Sequence, residues 1–238
     1  MSRSTADPLV LLPGMNCSER LWWTVGDGLR RRGSARDLVP RQLEGATVDD
    51  CVDALLRSLP ARFALAGLSL GGIVAMALVR RAPERVSRLC LMSTNSRGPT
   101  PEQRKAWAAQ RRALADGATA RDVQRDLLPV LLGPDSRGAE FDEEVLRMAD
   151  EVGDERLSRQ LSMQASRVDE RPGLDRVRVP TLVLAASKDA LCPLERHEEM
   201  HRLISGSRLR VVEGAGHLSP LEAPDEVAAA LSEWLSEN

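Results

Sequence analysis

The sequence predicts an α/β fold: a mostly parallel sheet of about six strands, helices on both faces, and a helical cap inserted into it. Three observations predict this. Short apolar runs alternate with helical patterns along most of the chain, as in a parallel sheet covered by helices. One charged, purely helical stretch interrupts the alternation. A glycine-rich turn joins a buried strand pattern directly to a helix pattern.

In chain order, Leu9 to Leu12 is an apolar run that stops at Pro13-Gly14, and it predicts the first strand. Glu19 to Arg32 reads as helix and Ala35 to Val39 as a weak second strand. Val48, Cys51, Val52, Leu55 and Leu56 recur at helical spacing, with Thr47 placed to cap a helix reaching Ser58. Phe63 to Ala66 is a strand, Leu70 to Arg81 a helix ended by Ala82-Pro83, and Val86 to Met92 a strand.

After Thr94 the texture changes. From about Arg97 to Arg171 no strand pattern occurs. Val123, Leu127, Leu128, Leu131 and Leu132 form one helical stripe, and Val145, Leu146, Ala149 and Val152 another. The alternation then resumes with a strand at Thr181 to Ala186, a helix at Leu194 to Ile204, a strand at Arg208 to Val212 and a helix at Asp225 to Leu235. The expected division is a core of residues 1–96 and 173–238, with a helical cap, or lid, of residues 97–172.

Composition narrows the function. A chain of 238 residues can bury a core without staples. The formal net charge of −2 gives no footprint for a nucleic-acid partner. No apolar run approaches membrane-spanning length. Cysteines 17, 51, 90 and 192 form no CxxC, so free thiols in a reducing, cytoplasmic compartment are expected. No cofactor is called for, and a monomer or a homodimer is expected.

The turn Gly67-Leu68-Ser69-Leu70-Gly71-Gly72 carries the chemistry. A serine hydroxyl is a poor nucleophile at neutral pH and must be exposed beside a base. A sharp strand-to-helix turn projects it over the sheet edge, and glycines at 67 and 71 permit the close backbone approach. The turn lacks the glycine spacing of a dinucleotide fingerprint and the lysine of a phosphate loop.

A base and a carboxylate must complete the set. Of the three histidines, His217 follows the Arg208 to Val212 strand inside Gly214-Ala215-Gly216-His217-Leu218. Asp189 follows the Thr181 to Ala186 strand. Both stand at strand carboxyl ends, where open α/β sheets keep their sites. The backbone N–H groups of Leu70 and Met15 are expected to form the oxyanion hole, with Asn16 and Leu218 touching substrate. His197-Glu198-Glu199-Met200-His201 matches the zinc motif HExxH, but it reads as an ordinary packing helix with no third ligand at a recognisable spacing, so no metal is assigned.

On these segments, with Val179 to Ala185 and Glu222-Ala223-Pro224, the chain resembles the α/β-hydrolase family over nearly its whole length. The resemblance implies the sheet and cap, and the order Ser69, Asp189, His217 is the one it expects. Two features depart from the pattern. Pro13 stands where many members have a histidine, and the first two antiparallel strands of the family are expected to be missing. Within the family the turn looks most like those of small carboxylesterases and 3-oxoadipate-type enol-lactonases. Dehalogenases and epoxide hydrolases place an aspartate where this chain has Ser69, and this chain has no tyrosine for an epoxide-hydrolase cap.

The expected reaction is therefore hydrolysis of a small-molecule ester or lactone. Carbon–carbon bond hydrolysis or lyase chemistry on the same triad is one alternative, and a non-catalytic ligand receptor is another. Cap arginines 104, 111, 112, 121 and 125 are expected on solvated helix faces, with recognition of a substrate carboxylate as their alternative role.

Overall fold

A computed structural model describes residues 6–136 and 138–236; residues 1–5, 137, 237 and 238 of the expected core and cap segments lie outside it. Among the described residues, six strands form one sheet: β1 (Leu9–Leu12), β2 (Leu38–Pro40), β3 (Phe63–Leu68), β4 (Val86–Met92), β5 (Thr181–Ala186) and β6 (Arg208–Val212). Their order is β2-β1-β3-β4-β5-β6. Every pairing is parallel, so all six carboxyl ends reach the same edge.

The apolar runs split by period two between two cores, because alternate side chains of a strand leave opposite faces. Leu9, Leu11, Ala64, Ala66, Leu182 and Leu184 face one side. There they meet α1 (Trp23–Arg31) and the C-terminal helix at Pro224–Ser236. Val10, Leu12, Phe63, Leu65, Leu91 and Val183 face the other side. Their partners are α2 (Val48–Ser58), α3 (Leu70–Arg81) and the helix at Leu194–Leu203. Thr47 caps α2 with a reciprocal box, accepting from the Asp50 N–H at 3.0 Å while its own N–H donates to Asp50.

Strand β2 begins later than its sequence suggests. Leu38 pairs with Leu9 and Pro40 with Leu11 at the edge of the sheet. Proline is tolerated there because it has no N–H to donate and the outer side of an edge strand has no neighbour that needs one. The expected helix from Glu19 is in fact a 3-10 turn, Glu19–Trp22, followed by α1.

Between β4 and β5 lie α4 (Pro101–Ala115), α5 (Ala120–Leu131), α6 (Ala139–Val152) and α7 (Asp154–Ser166). Ala120, Val123, Ala149, Val152, Leu157 and Leu161 form a core of their own. Leu131, Leu132, Val145 and Met148 join the core on the α1 side of the sheet, so these helices are anchored to it. The anchoring is also polar. The Arg20 guanidinium meets Glu144 at 2.7 Å and Glu151 at 3.4 Å. No helix is long and apolar enough to cross a membrane among the described residues.

Candidate active site

Parallel topology brings the loops after β1, β3, β4, β5 and β6 to one edge. Ser69 follows β3 directly and has φ 53°, ψ −114°. A side chain other than glycine bears a strain of about 1–3 kcal/mol in such a region and persists only where neighbours enforce it. Here the Ser69 N–H donates to the Met92 carbonyl at 2.9 Å. The Ser69 carbonyl accepts from Thr94 Oγ1 at 2.8 Å and from the Ile73 N–H at 3.1 Å.

The glycines explain how tightly this turn packs. A Cβ on Gly67 would stand 2.3 Å from the Gly71 carbonyl oxygen, and one on Gly71 would stand 2.4 Å from that of Leu12. Both obstacles are backbone. Gly71→Ala is therefore expected to cost on the order of 3 kcal/mol, at the upper end for overpacking. Urea unfolding measures this, and wild-type stability in the variant would show that the turn can relax.

Asp189 and His217 meet behind the cavity wall. Ser187 and Lys188 turn the chain out of β5, their N–H groups held by the carbonyls of Val212 at 3.0 Å and Ala215 at 2.9 Å. Asp189 Oδ1 then accepts the N–H of Leu191 at 2.9 Å and of Cys192 at 2.8 Å. His217 Nδ1 lies 2.9 Å from each carboxylate oxygen. A carboxylate can only accept, so Nδ1 carries a proton, and in the neutral ring the lone pair is on Nε2. Burial pushes the Asp189 carboxyl up, but the charge and hydrogen bond of His217, with the two amides, outweigh it and hold the carboxyl below its ordinary value.

The loop that carries His217 is clasped by the insert. The N–H groups of His217 and Leu218 both donate to the Leu131 carbonyl, at 2.9 and 3.3 Å. Glu222 accepts from the N–H of Gly133, Gly216 and Leu218, at 2.8, 3.0 and 3.1 Å. A Cβ on Gly216 would stand 2.3 Å from the Gly133 nitrogen. The packing leaves room only for glycine.

Ser69, His217, Met15 and Leu218 line one cavity of about 220 Å³. Its far wall comes from α4, α5 and the end of α7, including Trp107, Leu127 and Arg167. No hydrogen bond joins Ser69 to His217 among the described residues. Such bonds commonly tighten only when substrate is held. The N–H groups of Met15 and Leu70 have no backbone partner among the described residues.

Asn16 requires a correction. The sequence reading sets it against substrate, but its Nδ2 donates to the Ala120 carbonyl and to Gln124 Oε1, both at 2.9 Å, and its N–H donates to Gln160. It is fully buried and pins the loop after β1 to α5 and α7. At φ 58° it takes the left-handed conformation that asparagine tolerates better than most residues.

Sequence reasoning missed three kinds of residue. Thr94 follows β4 just as Asp189 follows β5, so its strand-end position was a usable signal. Gln103, Gln110, Gln124 and Gln164 line the cavity with no motif to mark them. Arg167 was hidden among many arginines. Two of the arginines singled out instead lie on outer faces: Arg121 pairs with Glu143 and Asp150, and Arg125 with Asp122.

Asp189, Cys192 and His217 bring a carboxylate, a thiol and an imidazole within 4.8 Å of one another. Burial, with Asp189 adding to it, pushes the Cys192 thiol up to about 12, whereas a metal ligand must be a thiolate. The carboxylate and imidazole already satisfy each other. The HExxH histidines do not converge. His197 Nε2 accepts the Thr94 N–H at 3.3 Å, whereas His201 Nδ1 pairs with Ser207 Oγ at 2.9 Å. Burial holds His197 below its ordinary value, which suits a neutral acceptor.

Comparison with known proteins fits this geometry. The alpha/beta hydrolase family matches residues 9–230. A pimeloyl-[acyl-carrier protein] methyl ester esterase of Neisseria meningitidis serogroup B is 32% identical over 185 residues, covering 75% of this chain and 70% of that protein. A thermophilic esterase from Thermogutta terrifontis, solved with malate bound, superposes with a TM-score of 0.83 at 27% identity, over 97% of this chain and 90% of that one. An enol-lactonase from Burkholderia xenovorans LB400 shares the fold with a TM-score of 0.81 at 22% identity, over 99% of this chain and 94% of that one.

Proposed function

The chain belongs to the alpha/beta hydrolase family, and from that premise we propose that it is a serine hydrolase cleaving a small-molecule ester or lactone through an acyl-enzyme. The observation that carries this reading is the Asp189–His217 pair, set on the same cavity as the strained Ser69 turn. Esterase activity in the relatives supports it.

Ser69 Oγ attacks the substrate carbonyl while His217 Nε2 takes its proton. Asp189 is the positioning residue: it keeps the Nδ1–H tautomer and stabilises the imidazolium that forms. The N–H groups of Leu70 and Met15 receive the charge that develops on the carbonyl oxygen. The tetrahedral intermediate then expels the alcohol, which takes the proton from His217. In a lactone that alcohol stays attached to the acyl chain. Water repeats the cycle and frees the acid.

Residues 97–172 act as a cap that bounds the acyl pocket, and Leu218 packs against the substrate from the other side. Four free, buried thiols suit a reducing cytoplasm. The reading expects a fluorophosphonate probe to label Ser69 and p-nitrophenyl esters to turn over. Absence of both would favour a ligand receptor on the same fold. Activity lost to a chelator but spared by the probe would favour the HExxH helix.

A further inference from the structure

The cavity beyond Ser69 holds a cation that the proposed chemistry does not use. Arg167 ends α7 and is only 6% exposed. Its Nη1 donates to Gln164 Oε1 and its Nη2 to Gln103 Oε1, both at 2.9 Å. Both acceptors are neutral. The Trp107 ring faces the guanidinium at 5.2 Å. No carboxylate pairs with it among the described residues, and its buried Nε–H has no partner. Gln124 Nε2, on the same cavity, is a second buried donor without a partner.

A guanidinium buried without a counter-charge is costly, and burial pushes this one below its ordinary value. Arg20, by contrast, meets Glu144, and the partly buried Arg36 and Arg85 donate to main-chain carbonyls. Arg167 differs in that it lines the cavity that Ser69 and His217 line.

We propose that Arg167, helped by Gln124, binds a carboxylate at the end of the substrate remote from the scissile bond, so that the preferred substrates are short half-esters or lactones carrying a free carboxylate. This rests on the serine-hydrolase reading. A carboxylate fits better than a phosphate. Among the described residues the cavity wall offers one guanidinium and no lysine, which balances a monoanion but not a dianion. The planar fork of arginine matches the two carboxylate oxygens. A volume of about 220 Å³ suits a short acyl chain. Trp107 covers one face of the guanidinium.

The test compares two esters with the same five-carbon acyl chain, mono(4-nitrophenyl) glutarate and 4-nitrophenyl pentanoate. Wild-type protein is expected to favour the glutarate ester by about tenfold to a hundredfold in kcat/KM, the range of a hydrogen bond to a charged group. Arg167→Gln is expected to remove that preference, mainly through KM. Titration of Ser69→Ala protein with monomethyl glutarate and with methyl pentanoate, followed by calorimetry, gives a readout free of turnover. Equal handling of both esters by wild type, or a preference that survives Arg167→Gln, would overturn the proposal and leave Arg167 a clamp between α4 and α7. If Arg167→Gln does not fold, the wild-type ester ratio and the Ser69→Ala titration still decide. If the serine-hydrolase reading itself fails, neither ester turns over and the probe leaves Ser69 unlabelled. Glutarate binding would still report on Arg167.

Discussion

Ser69→Ala is expected to lower kcat for ester hydrolysis by about 10⁴- to 10⁶-fold, with little change in KM. The substitution removes the attacking oxygen and little else. The Cβ stays, so the backbone at φ 53° bears the same kind of strain. The bonds that hold the turn use the Ser69 N–H and carbonyl, not its hydroxyl, so Met92, Thr94 and Ile73 keep their contacts. The N–H groups of Leu70 and Met15 are untouched by the change, which is why binding should survive while turnover does not. Probe labelling should vanish in parallel. Stopped-flow and steady-state rates on a p-nitrophenyl ester, with unfolding midpoints of both proteins, check this. A kcat within about tenfold of wild type, in a folded variant, would remove Ser69 from the mechanism.

Much of this site was legible in the sequence because its residues sit where topology forces them together. Ser69, Asp189 and His217 each follow a strand, and a parallel sheet brings strand carboxyl ends to one edge. Strand boundaries were less legible. The edge strand β2 carries Pro40 and is only half buried, so its apolar signal was weak. Asn16 was misjudged because adjacency to Met15 in the sequence says nothing about direction. Its left-handed backbone turns the side chain towards α5 instead of the cavity. The far wall was not legible at all. Its glutamines and Arg167 come from three different helices, and helix periodicity reports which face is apolar rather than what a distant face meets. Arg167 in particular was one basic residue among many until its missing counter-charge became visible.

Asp189→Asn is expected to cost about 10³- to 10⁴-fold in kcat at neutral pH, although the two side chains are almost isosteric. The local hydrogen bonds decide how the new amide would sit. Oδ1 accepts the N–H groups of Leu191 and Cys192, and only an oxygen can occupy that place. The nitrogen of the introduced amide must therefore take the position of Oδ2, which is 2.9 Å from His217 Nδ1. Oδ1 is equally 2.9 Å from Nδ1, but an amide oxygen has two lone pairs and both are taken by Leu191 and Cys192, so the ring proton is left facing an N–H donor. The ring escapes by moving its proton to Nε2 and accepting from the amide through Nδ1. That tautomer points an N–H at Ser69 and can no longer take the serine proton. The variant also loses the negative charge that would stabilise the imidazolium. Structure should be retained, because the amide makes as many hydrogen bonds as the carboxylate did. The expected signature is an unfolding midpoint close to wild type with slow turnover and slow probe labelling together. A folded Asp189→Asn protein with more than about a tenth of wild-type kcat would show that His217 does not depend on Asp189 for its tautomer.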